Sequence, residues 1–299
     1  MPRPPLKVIR PILTYIEDDR DQGLERIYIY YSSTSSHIYT DKQQVDLIES
    51  PIWKKMLFLD GTLQSTTRDE VIYHNALVHP LMDTLIEKKS ILILGGGEGA
   101  TAREILRWEG VEAVTMVDYD KELVNLMKER GLAWTCSSLY NRKLHLVYDD
   151  AWQYMKNTKN IYNGIIIDLT DPDLTREKWM PLLHDAFLNI RRSRGGLVMN
   201  AGLYLPWKTE TLKLIKDMIE TLCDIYSDFK YYMYTVVVPS FNGEWTFIVV
   251  HHKRKFMIEP EFLECIVPWI RRSIRMLDPA LLTEPASTDP ILTGILMGS

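Results

Sequence analysis

The chain has 299 residues, of which 46% are hydrophobic and 25% are charged, and its formal net charge at pH 7 is −5. This length allows one large domain or two modest ones with a sizeable core. The acidic balance argues against an electrostatic nucleic-acid binder. No apolar run reaches the roughly 18 residues of a membrane span, and the N-terminus lacks a signal-peptide pattern, so we expect a cytoplasmic protein with no membrane attachment.

The first 80 residues are rich in β-forming side chains and predict a small antiparallel domain of hairpins. Strand candidates are residues 26–31, 44–48 and 55–59, and the last of these is closed by an Asp60-Gly61 turn. Residues 68–85 follow with helical spacing of apolar side chains and predict a linking helix.

From Ser90 onward, strands alternate with helices, which predicts a parallel sheet with right-handed crossovers. The strand candidates are residues 91–94, 114–117, 144–148, 164–167, 196–200, 232–238 and 245–251. Helices are expected over residues 121–130, 179–190 and 210–223, and another from Pro260 through Met276. A turn at residues 239–243 makes the last two strands an antiparallel hairpin.

We therefore expect the α/β class, with a Rossmann-like, seven-stranded sheet of the S-adenosylmethionine-transferase type beside a small N-terminal antiparallel β domain. The expected division is an N-terminal β-hairpin domain with its linking helix over residues 1–80, a Rossmann-like catalytic domain over residues 81–277, and a tail over residues 278–299.

The three cysteines, Cys136, Cys223 and Cys265, are scattered and odd in number. Their spacing does not suit a metal site, so we interpret them as reduced thiols in the core and expect no metal.

A glycine-rich turn directly follows the buried strand candidate at residues 91–94. Gly95-Gly96-Gly97-Glu98-Gly99 allows a sharp turn and close approach of the backbone to a ligand, and helix-forming residues come next. The second strand ends in Asp118, where a βαβ nucleotide fold places an acid that holds two ribose hydroxyls. The pattern predicts a nucleoside-cofactor site; the alternative is a tight turn without a ligand.

Glu98 makes this turn unusual, because a carboxylate there repels the pyrophosphate of a dinucleotide. A cofactor that is cationic or neutral at this place is favoured. S-adenosyl sulfonium compounds meet this need, and decarboxylated S-adenosylmethionine suits Glu98 better than S-adenosylmethionine, which has a carboxylate of its own.

Further acids follow the third and fourth strands, and the carboxyl ends of parallel strands are where ligands bind. Asp149 and Asp150 come after the third strand and could accept a hydrogen bond from an adenine amine, or cap a helix. Asp168 and Asp171 come after the fourth strand. On the linking helix, the Tyr73-His74 pair fits packing as well as catalysis.

Several of these motifs resemble the spermidine synthase family. They are residues 59–70, Tyr73-His74, His79-Pro80, the glycine turn at residues 95–99, and Asp168-Leu169-Thr170-Asp171-Pro172. The resemblance implies transfer of the aminopropyl group of decarboxylated S-adenosylmethionine to a polyamine, with release of 5′-methylthioadenosine and without a metal. It also implies a homodimer or homotetramer.

The resemblance assigns roles to particular residues. Asp168 corresponds to the general base, and Asp171 with Glu98 to the acids that hold amine groups. The residues that correspond to the nucleoside site are Gln43, the glycine turn with Gly95 and Gly97, Asp118, and the adenine contact formed at Asp149, Asp150 and Ala151. Those that correspond to the amine channel are Tyr73, His74 and, at the turn between the last two strands, Phe241.

The sequence departs from spermidine synthases near the acceptor. Glu98 replaces an aspartate and Phe241 a tyrosine, as in thermospermine synthases; Asn200 replaces a glutamine, and Leu174-Thr175 replace a Gly-Pro pair. We therefore expect spermidine as the acceptor, giving thermospermine or spermine, with putrescine as the second choice. The alternatives are an S-adenosylmethionine-dependent amine N-methyltransferase and a non-catalytic regulatory paralogue.

Overall fold

The computed structural model describes residues 12–19, 23–31, 35–253, 274–277 and 282. They belong to two compact units. The first comprises Met1–Val71 with Pro239–Phe241, and the second comprises Ile72–Val238 with Asn242–Ser299. The expected domain boundaries at residues 80 and 277 stay predictions.

Two antiparallel sheets make up the described part of the first unit. One sheet pairs β1 (Ile12–Asp19) with β2 (Leu24–Tyr31). The other contains, in spatial order, β3 (Ser36–Tyr39), β4 (Gln44–Ser50), β5 (Lys54–Leu59) and β6 (Thr62–Thr66). The small antiparallel domain is confirmed, and β1, β3 and β6 are strands that the sequence analysis missed.

A buried acid explains why β1 was hard to recognise. Glu17 lies in the middle of β1 and is only 4% exposed. Its carboxylate accepts hydrogen bonds from the Tyr28 hydroxyl and from the backbone N–H of Leu63, both at 2.7 Å. Because the partners of Glu17 lie on β2 and β6, the strand becomes favourable only when the sheets assemble.

The second unit alternates strands and helices as expected. The helices are α1 (Glu70–Thr84), whose first two residues belong to the first unit, α2 (Ala100–Leu106), α3 (Lys121–Arg130), α4 (Leu132–Thr135), α5 (Ala151–Asn157), α6 (Arg176–Ser193) and α7 (Glu210–Ile225). The strands are β7 (Ser90–Gly95), β8 (Ala113–Val117), β9 (Leu144–Val147), β10 (Gly164–Asp168), β11 (Gly196–Tyr204), β12 (Phe229–Val238), β13 (Gly243–His252) and β14 (Ile274–Met276). All seven strand candidates are confirmed.

These strands form one mixed sheet with the order β14-β12-β13-β11-β10-β7-β8-β9. All pairings among strands β7 to β11 are parallel. The pairings that involve β12, β13 or β14 are antiparallel. Within β7, Ile91 to Leu94 are completely buried, as their continuous apolar run predicted. Helix α6 contributes Trp179, Leu183 and Phe187 to the core cluster that contains Leu92 and Leu94.

The sheet has eight described strands instead of seven. Residues 274–276 pair with β12, so the expectation that a helix continues to Met276 is wrong at its C-terminal end. This short edge strand depends on β12 for all its ladder hydrogen bonds, which a local pattern cannot reveal. The rest of the expected helix lies outside the described residues, as does the expected tail apart from the buried Leu282.

The prediction that the cysteines are core thiols is wrong for Cys136, which is exposed. It follows the short helix α4 in a left-handed conformation, with φ 42°. Cys223 is partly buried, and burial raises the pKa of its thiol to about 12. Cys265 lies outside the described residues. None of the helices in the described ranges combines the length and the apolar character needed to cross a bilayer.

A buried polar cluster fixes α1 against α2. The Trp108 indole N–H donates to His79 Nδ1 at 3.0 Å, so the imidazole hydrogen resides on Nε2. That nitrogen lies 2.8 Å from Asn75 Oδ1 and 3.3 Å from Glu104 Oε2. Burial by itself raises the pKa of Glu104, but hydrogen bonds from His79 and Arg103 prevail and lower it to about 2.

Replacing Glu104 with glutamine is expected to lower the free energy of unfolding at pH 7 by on the order of 3 kcal/mol. The folded-state pKa of Glu104 lies below its ordinary value of 4.5, so its charged form stabilises the fold above pH 4.5. This stabilisation is lost as the pH falls from 4.5 towards 2. Urea unfolding at pH 7, 5 and 3 should therefore show a difference in the free energy of unfolding between wild type and variant that becomes smaller at the lowest pH.

The matched control is Glu112→Gln, since the Glu112 side chain is 66% exposed and pairs with Lys89 at 3.5 Å. Exposed pairs of this kind contribute little, so this change should alter the free energy of unfolding by less than about 1 kcal/mol. Equal losses in the two variants, or a gap that is independent of pH, would show that Glu104 does not stabilise the α1–α2 contact in this way.

Candidate active site

The glycine turn packs its backbone against the ends of β8 and β10. A Cβ on Gly95 would lie 2.1 Å from the carbonyl oxygen of Asp168, and one on Gly97 would lie 2.6 Å from Asp118 Oδ2. Gly95, Gly96 and Gly99 also have positive φ angles of 84°, 73° and 82°. Glycine is required here both for the conformation and for the space.

Asp118 is a buried carboxylate beside this turn, with 7% of its surface exposed. Its Oδ1 accepts the backbone N–H of Asp120 at 2.8 Å. Burial raises the pKa of Asp118 to about 6, and the negative charges of Asp120 and Asp168 act in the same direction. Asp120 itself caps α3 by accepting the N–H of Leu123.

Both carboxylate oxygens of Asp168 accept hydrogen bonds from hydroxyl groups. Tyr73 donates to Oδ1 at 3.1 Å, and Thr101 donates to Oδ2 at 2.5 Å. Burial raises the pKa of Tyr73 well above its usual value, and the charges of Asp168, Asp171 and Glu98 raise it further. The phenol therefore stays protonated, and it experiences the negative potential of three acids.

His74 follows Tyr73 on α1 and is 2% exposed. Its Nε2 lies 2.6 Å from Glu98 Oε1, so the glycine turn and α1 are linked at this point. The two rings of the pair meet edge to face with their centroids 5.1 Å apart. Tyr73 also packs against Phe247, with a centroid distance of 5.3 Å.

Asn200 organises the neighbourhood of Asp171. Its side-chain NH₂ donates to Asp171 Oδ1 at 3.0 Å and, at 3.4 Å, to the carbonyl of Leu169. Its Oδ1 accepts the indole N–H of Trp245 at 2.7 Å and the backbone N–H of Gly202 at 2.9 Å. The amide is thus fully used within the protein, and it fixes one oxygen of the Asp171 carboxylate.

Of the two acids that follow β9, Asp150 caps a helix and Asp149 fixes the backbone just before it. Asp150 Oδ1 accepts the N–H of Gln153 at the start of α5, and Asp149 Oδ1 accepts the N–H of Asp150. Both aspartates are exposed, whereas Ala151 is 5% exposed. In the next loop, Asp173 accepts the N–H of Thr175, which lowers the pKa of this aspartate.

Gln43 and Phe241 belong to the first unit. The Gln43 carbonyl accepts the backbone N–H of Thr40 at 3.0 Å and its hydroxyl at 3.1 Å, which closes a turn before β4. Phe241 is 7% exposed, and its carbonyl accepts a hydrogen bond from Arg26 Nη2 at 2.9 Å.

The second unit thus brings most of the expected site residues to one edge of its sheet. The glycine turn, Asp118 and Asp168 lie at the carboxyl ends of adjacent strands, and the contacts with α1 add Tyr73 and His74. The sequence analysis missed Thr101 and Trp245, whose hydroxyl and indole groups reach partners more than 40 positions away. Within the described ranges, no group of three or more histidine, cysteine, aspartate or glutamate side chains could hold a metal ion.

Residues 70–260, more than half of the chain, match the protein family described as spermine/spermidine synthase domain. The chain belongs to this family. The family resemblance found in the motifs is therefore confirmed, and with it the assignment to the polyamine aminopropyltransferase class of enzymes.

Curated relatives agree with this family assignment. A polyamine aminopropyltransferase of Sulfolobus acidocaldarius is 38% identical over 211 residues, which cover 69% of this chain and 67% of that protein. The corresponding protein of Sulfurisphaera tokodaii is 37% identical over 210 residues, which cover 70% of this chain and 68% of that protein.

Solved structures of the family share the fold. The spermidine synthase of Thermotoga maritima superposes with a TM-score of 0.72 at 19% identity and covers 96% of this chain and 94% of its own. A spermidine synthase in complex with the transition-state analogue AdoDATO gives a TM-score of 0.73 at 20% identity, with coverages of 96% and 95%.

Replacing Asp118 with asparagine is expected to stabilise the folded protein at pH 8 by on the order of 3 kcal/mol. The folded-state pKa of Asp118 is about 6, above its ordinary value of 3.8, so ionisation opposes folding as the pH rises through this range. Asparagine keeps an oxygen for the N–H of Asp120. Chemical unfolding should show that Asp118→Asn raises the free energy of unfolding at pH 8, and that this increase nearly disappears at pH 4.

Asp149→Asn serves as the control, because Asp149 is exposed and accepts a hydrogen bond only from the neighbouring N–H of Asp150 among its assigned contacts. It should change the free energy of unfolding by less than about 0.5 kcal/mol at either pH. A destabilised Asp118→Asn variant at pH 8 would contradict the raised pKa.

Proposed function

We propose that this protein transfers the aminopropyl group of decarboxylated S-adenosylmethionine to an amine of a polyamine and releases 5′-methylthioadenosine. The observation that supports this most directly is the protonated Tyr73 hydroxyl surrounded by the charges of Asp168, Asp171 and Glu98. Three acids next to a glycine turn suit a sulfonium compound beside a chain of ammonium groups, and disfavour a phosphorylated cofactor.

The glycine turn and Asp118 suit the nucleoside end of the co-substrate. The lack of a side chain at Gly97 lets the Asp118 carboxylate lie directly against the glycine turn, because a Cβ there would be only 2.6 Å from Asp118 Oδ2. Asp118 is the group that would hold the ribose hydroxyls, which can donate to its ionised form above pH 6. Asp149, Asp150 and Ala151 are assigned to the adenine and Gln43 to the nucleoside by family correspondence.

The acceptor amine is assigned to the acids around Tyr73. Glu98 and Asp171 supply charge for ammonium groups, while Tyr73 and His74 line the path to Asp168. Phe241 is assigned to the acceptor by family correspondence. The Asn200 network supports the role of Asp171, because a neutral side-chain amide fixes one oxygen of this carboxylate.

The proposed reaction is one direct displacement. The lone pair of a neutral amine nitrogen forms the new C–N bond at the aminopropyl carbon, while the C–S bond breaks and its electron pair leaves with sulfur as a neutral thioether. The nitrogen becomes positively charged, and its proton passes to the Asp168 carboxylate. Since sulfonium is a good leaving group, the protein mainly orients the amine and accepts this proton.

Spermidine is the acceptor we propose, giving thermospermine or spermine, because Glu98 and Phe241 match the motifs of thermospermine synthases. The test is incubation of the protein with decarboxylated S-adenosylmethionine and, in turn, putrescine and spermidine, followed by mass spectrometry. A mass gain of one aminopropyl group on spermidine supports the proposal. A methyl gain with S-adenosylmethionine, or binding of methylthioadenosine without any product, would refute it.

Asp168→Asn is expected to reduce kcat by at least about 100-fold, because the amide cannot accept the proton, while methylthioadenosine affinity changes by less than about threefold. Steady-state turnover and calorimetric titration measure the two quantities. Asp217→Asn is a suitable control, since Asp217 is about half exposed on α7 and pairs with Lys216. Unchanged turnover in Asp168→Asn would remove Asp168 from the mechanism.

We also propose a homodimer or homotetramer, supported by one face of the β1–β2 hairpin. Register places Ile16 beside Ile27 and Thr14 beside Ile29 on this face. The three isoleucines are 60%, 64% and 52% exposed, whereas Glu17, Tyr28 and Tyr30 on the opposite face are buried. Adjacent exposed apolar side chains of this kind are typical of protein interfaces.

Ile27→Lys should therefore shift the native mass towards the monomer, measured by light scattering during gel filtration. Ile86→Lys makes the same change at a residue of the second unit that is 66% exposed, and should leave the mass of the assembly unaltered. A wild-type protein that is monomeric at micromolar concentration would contradict the proposed assembly.

A further inference from the structure

The hydrogen bond from Thr101 to Asp168 joins two elements that lie far apart in the chain. Thr101 is the second residue of α2, directly after the glycine turn, and is completely buried. Threonine hydroxyls in helices commonly bond to a carbonyl of the preceding turn. Here the hydroxyl instead donates to Oδ2 of an aspartate 67 positions away, at 2.5 Å.

The backbone around this bond is fixed by the sheet. Asp168 lies opposite Gly95 in the parallel register of β10 and β7, and its carbonyl oxygen accepts the N–H of Gly96 at 3.2 Å. A Cβ on Gly96 would lie 3.3 Å from Asp168 Oδ2, so this oxygen is covered by the glycine turn as well as by Thr101. Oδ2 thus has little room for a further partner.

The other oxygen has a different environment. Oδ1 accepts the Tyr73 hydroxyl at 3.1 Å, a longer bond than the one at Oδ2. Tyr73 is the residue on which the charges of Asp168, Asp171 and Glu98 act together, so Oδ1 faces the region of negative potential that suits an amine. The two oxygens of one carboxylate are therefore chemically unequal.

We propose that Thr101 is a positioning residue that holds Oδ2 of Asp168 and so directs Oδ1 towards the amine as the proton acceptor. This inference rests on the proposed aminopropyl transfer. The proton that the nitrogen loses when the C–N bond forms goes to Oδ1, and Thr101 keeps its own proton throughout. A carboxylate held by a short hydrogen bond to a buried hydroxyl cannot rotate freely, which favours a productive geometry.

The decisive variant is Thr101→Val, which keeps the shape of the side chain and removes the hydroxyl. We expect kcat with the preferred amine to fall by roughly 10- to 100-fold, because the orienting bond to a charged group is lost. The KM for the amine and the Kd for methylthioadenosine should each stay within about threefold of wild type. Thr101→Ser retains the hydroxyl and should restore kcat to within about threefold.

Thr246→Val is the matched control. Thr246 is also completely buried in the second unit, and its hydroxyl has no hydrogen-bond partner among the described residues. This variant should keep the wild-type kcat. If Thr101→Val does not fold, the pair Thr101→Ala and Thr101→Ser makes the same comparison, and the alanine variant should be at least about tenfold slower than the serine variant.

The outcomes separate the two proposals. If the wild type forms aminopropyl product and Thr101→Val has the same kcat, the proposed role of Thr101 is overturned and aminopropyl transfer stands. A lower kcat together with a higher KM for the amine and weaker nucleoside binding, without rescue by Thr101→Ser, would show that Thr101 has a structural role only. This result would also overturn the proposal. No aminopropyl product from wild type with either amine would overturn both, since Asp168 would then have no amine proton to accept.

Discussion

The candidate site depends on two carboxylates, Asp118 and Asp168, that accept hydrogen bonds from neutral donors. A buried carboxylate needs hydrogen-bond donors, and the kind of donor decides whether its charge remains available to a ligand. Asp168 is held by two hydroxyls and Asp118 by backbone amides, both of which satisfy the oxygens and leave the net charge in place. The pKa of Asp118, raised to about 6, shows how strongly this environment opposes the charge.

Glu104 illustrates the opposite solution. It is 1% exposed, but Arg103 and Arg107 lie 2.8 and 2.6 Å from its two oxygens, and its pKa falls to about 2. A carboxylate that is paired with arginines stabilises the fold. A carboxylate that accepts hydrogen bonds from neutral donors keeps its net charge and can attract a cation. The protein uses the first arrangement between α1 and α2 and the second at the ends of β8 and β10. One helix contact thus secures the frame that carries Tyr73, His74 and Thr101.

Asn200, one of the departures from the spermidine synthase pattern, is connected to the aromatic residues of the second unit. The Asn200 side chain makes all of its assigned hydrogen bonds with protein groups, and it accepts one of them from the Trp245 indole. Trp245 also meets the Tyr73 ring edge to face, at a centroid distance of 6.5 Å. A change at Asn200 therefore alters the support of Asp171 and the aromatic wall beside Tyr73 together, while the glycine turn and Asp118 are untouched.

The sequence alone determined the parallel sheet and the chemistry at its edge. Continuous apolar runs such as Ile91 to Leu94 are strong local signals, and the glycine turn permits only a few backbone conformations. Because the carboxyl ends of parallel strands meet at one edge, the positions of Asp118 and Asp168 in the chain were enough to expect them close together. The motif resemblance added the class of reaction.

Only the tertiary structure decided how these groups are held. Strands β1 and β14 depend on neighbours that are distant in the chain, and Glu17 becomes acceptable within β1 only when Tyr28 and Leu63 surround it. The bond from Thr101 to Asp168 and the amide network of Asn200 likewise join side chains with no periodic or spaced pattern. Local sequence shows which residues can donate and accept, but burial and partner geometry arise from packing, and these decide which charges are compensated.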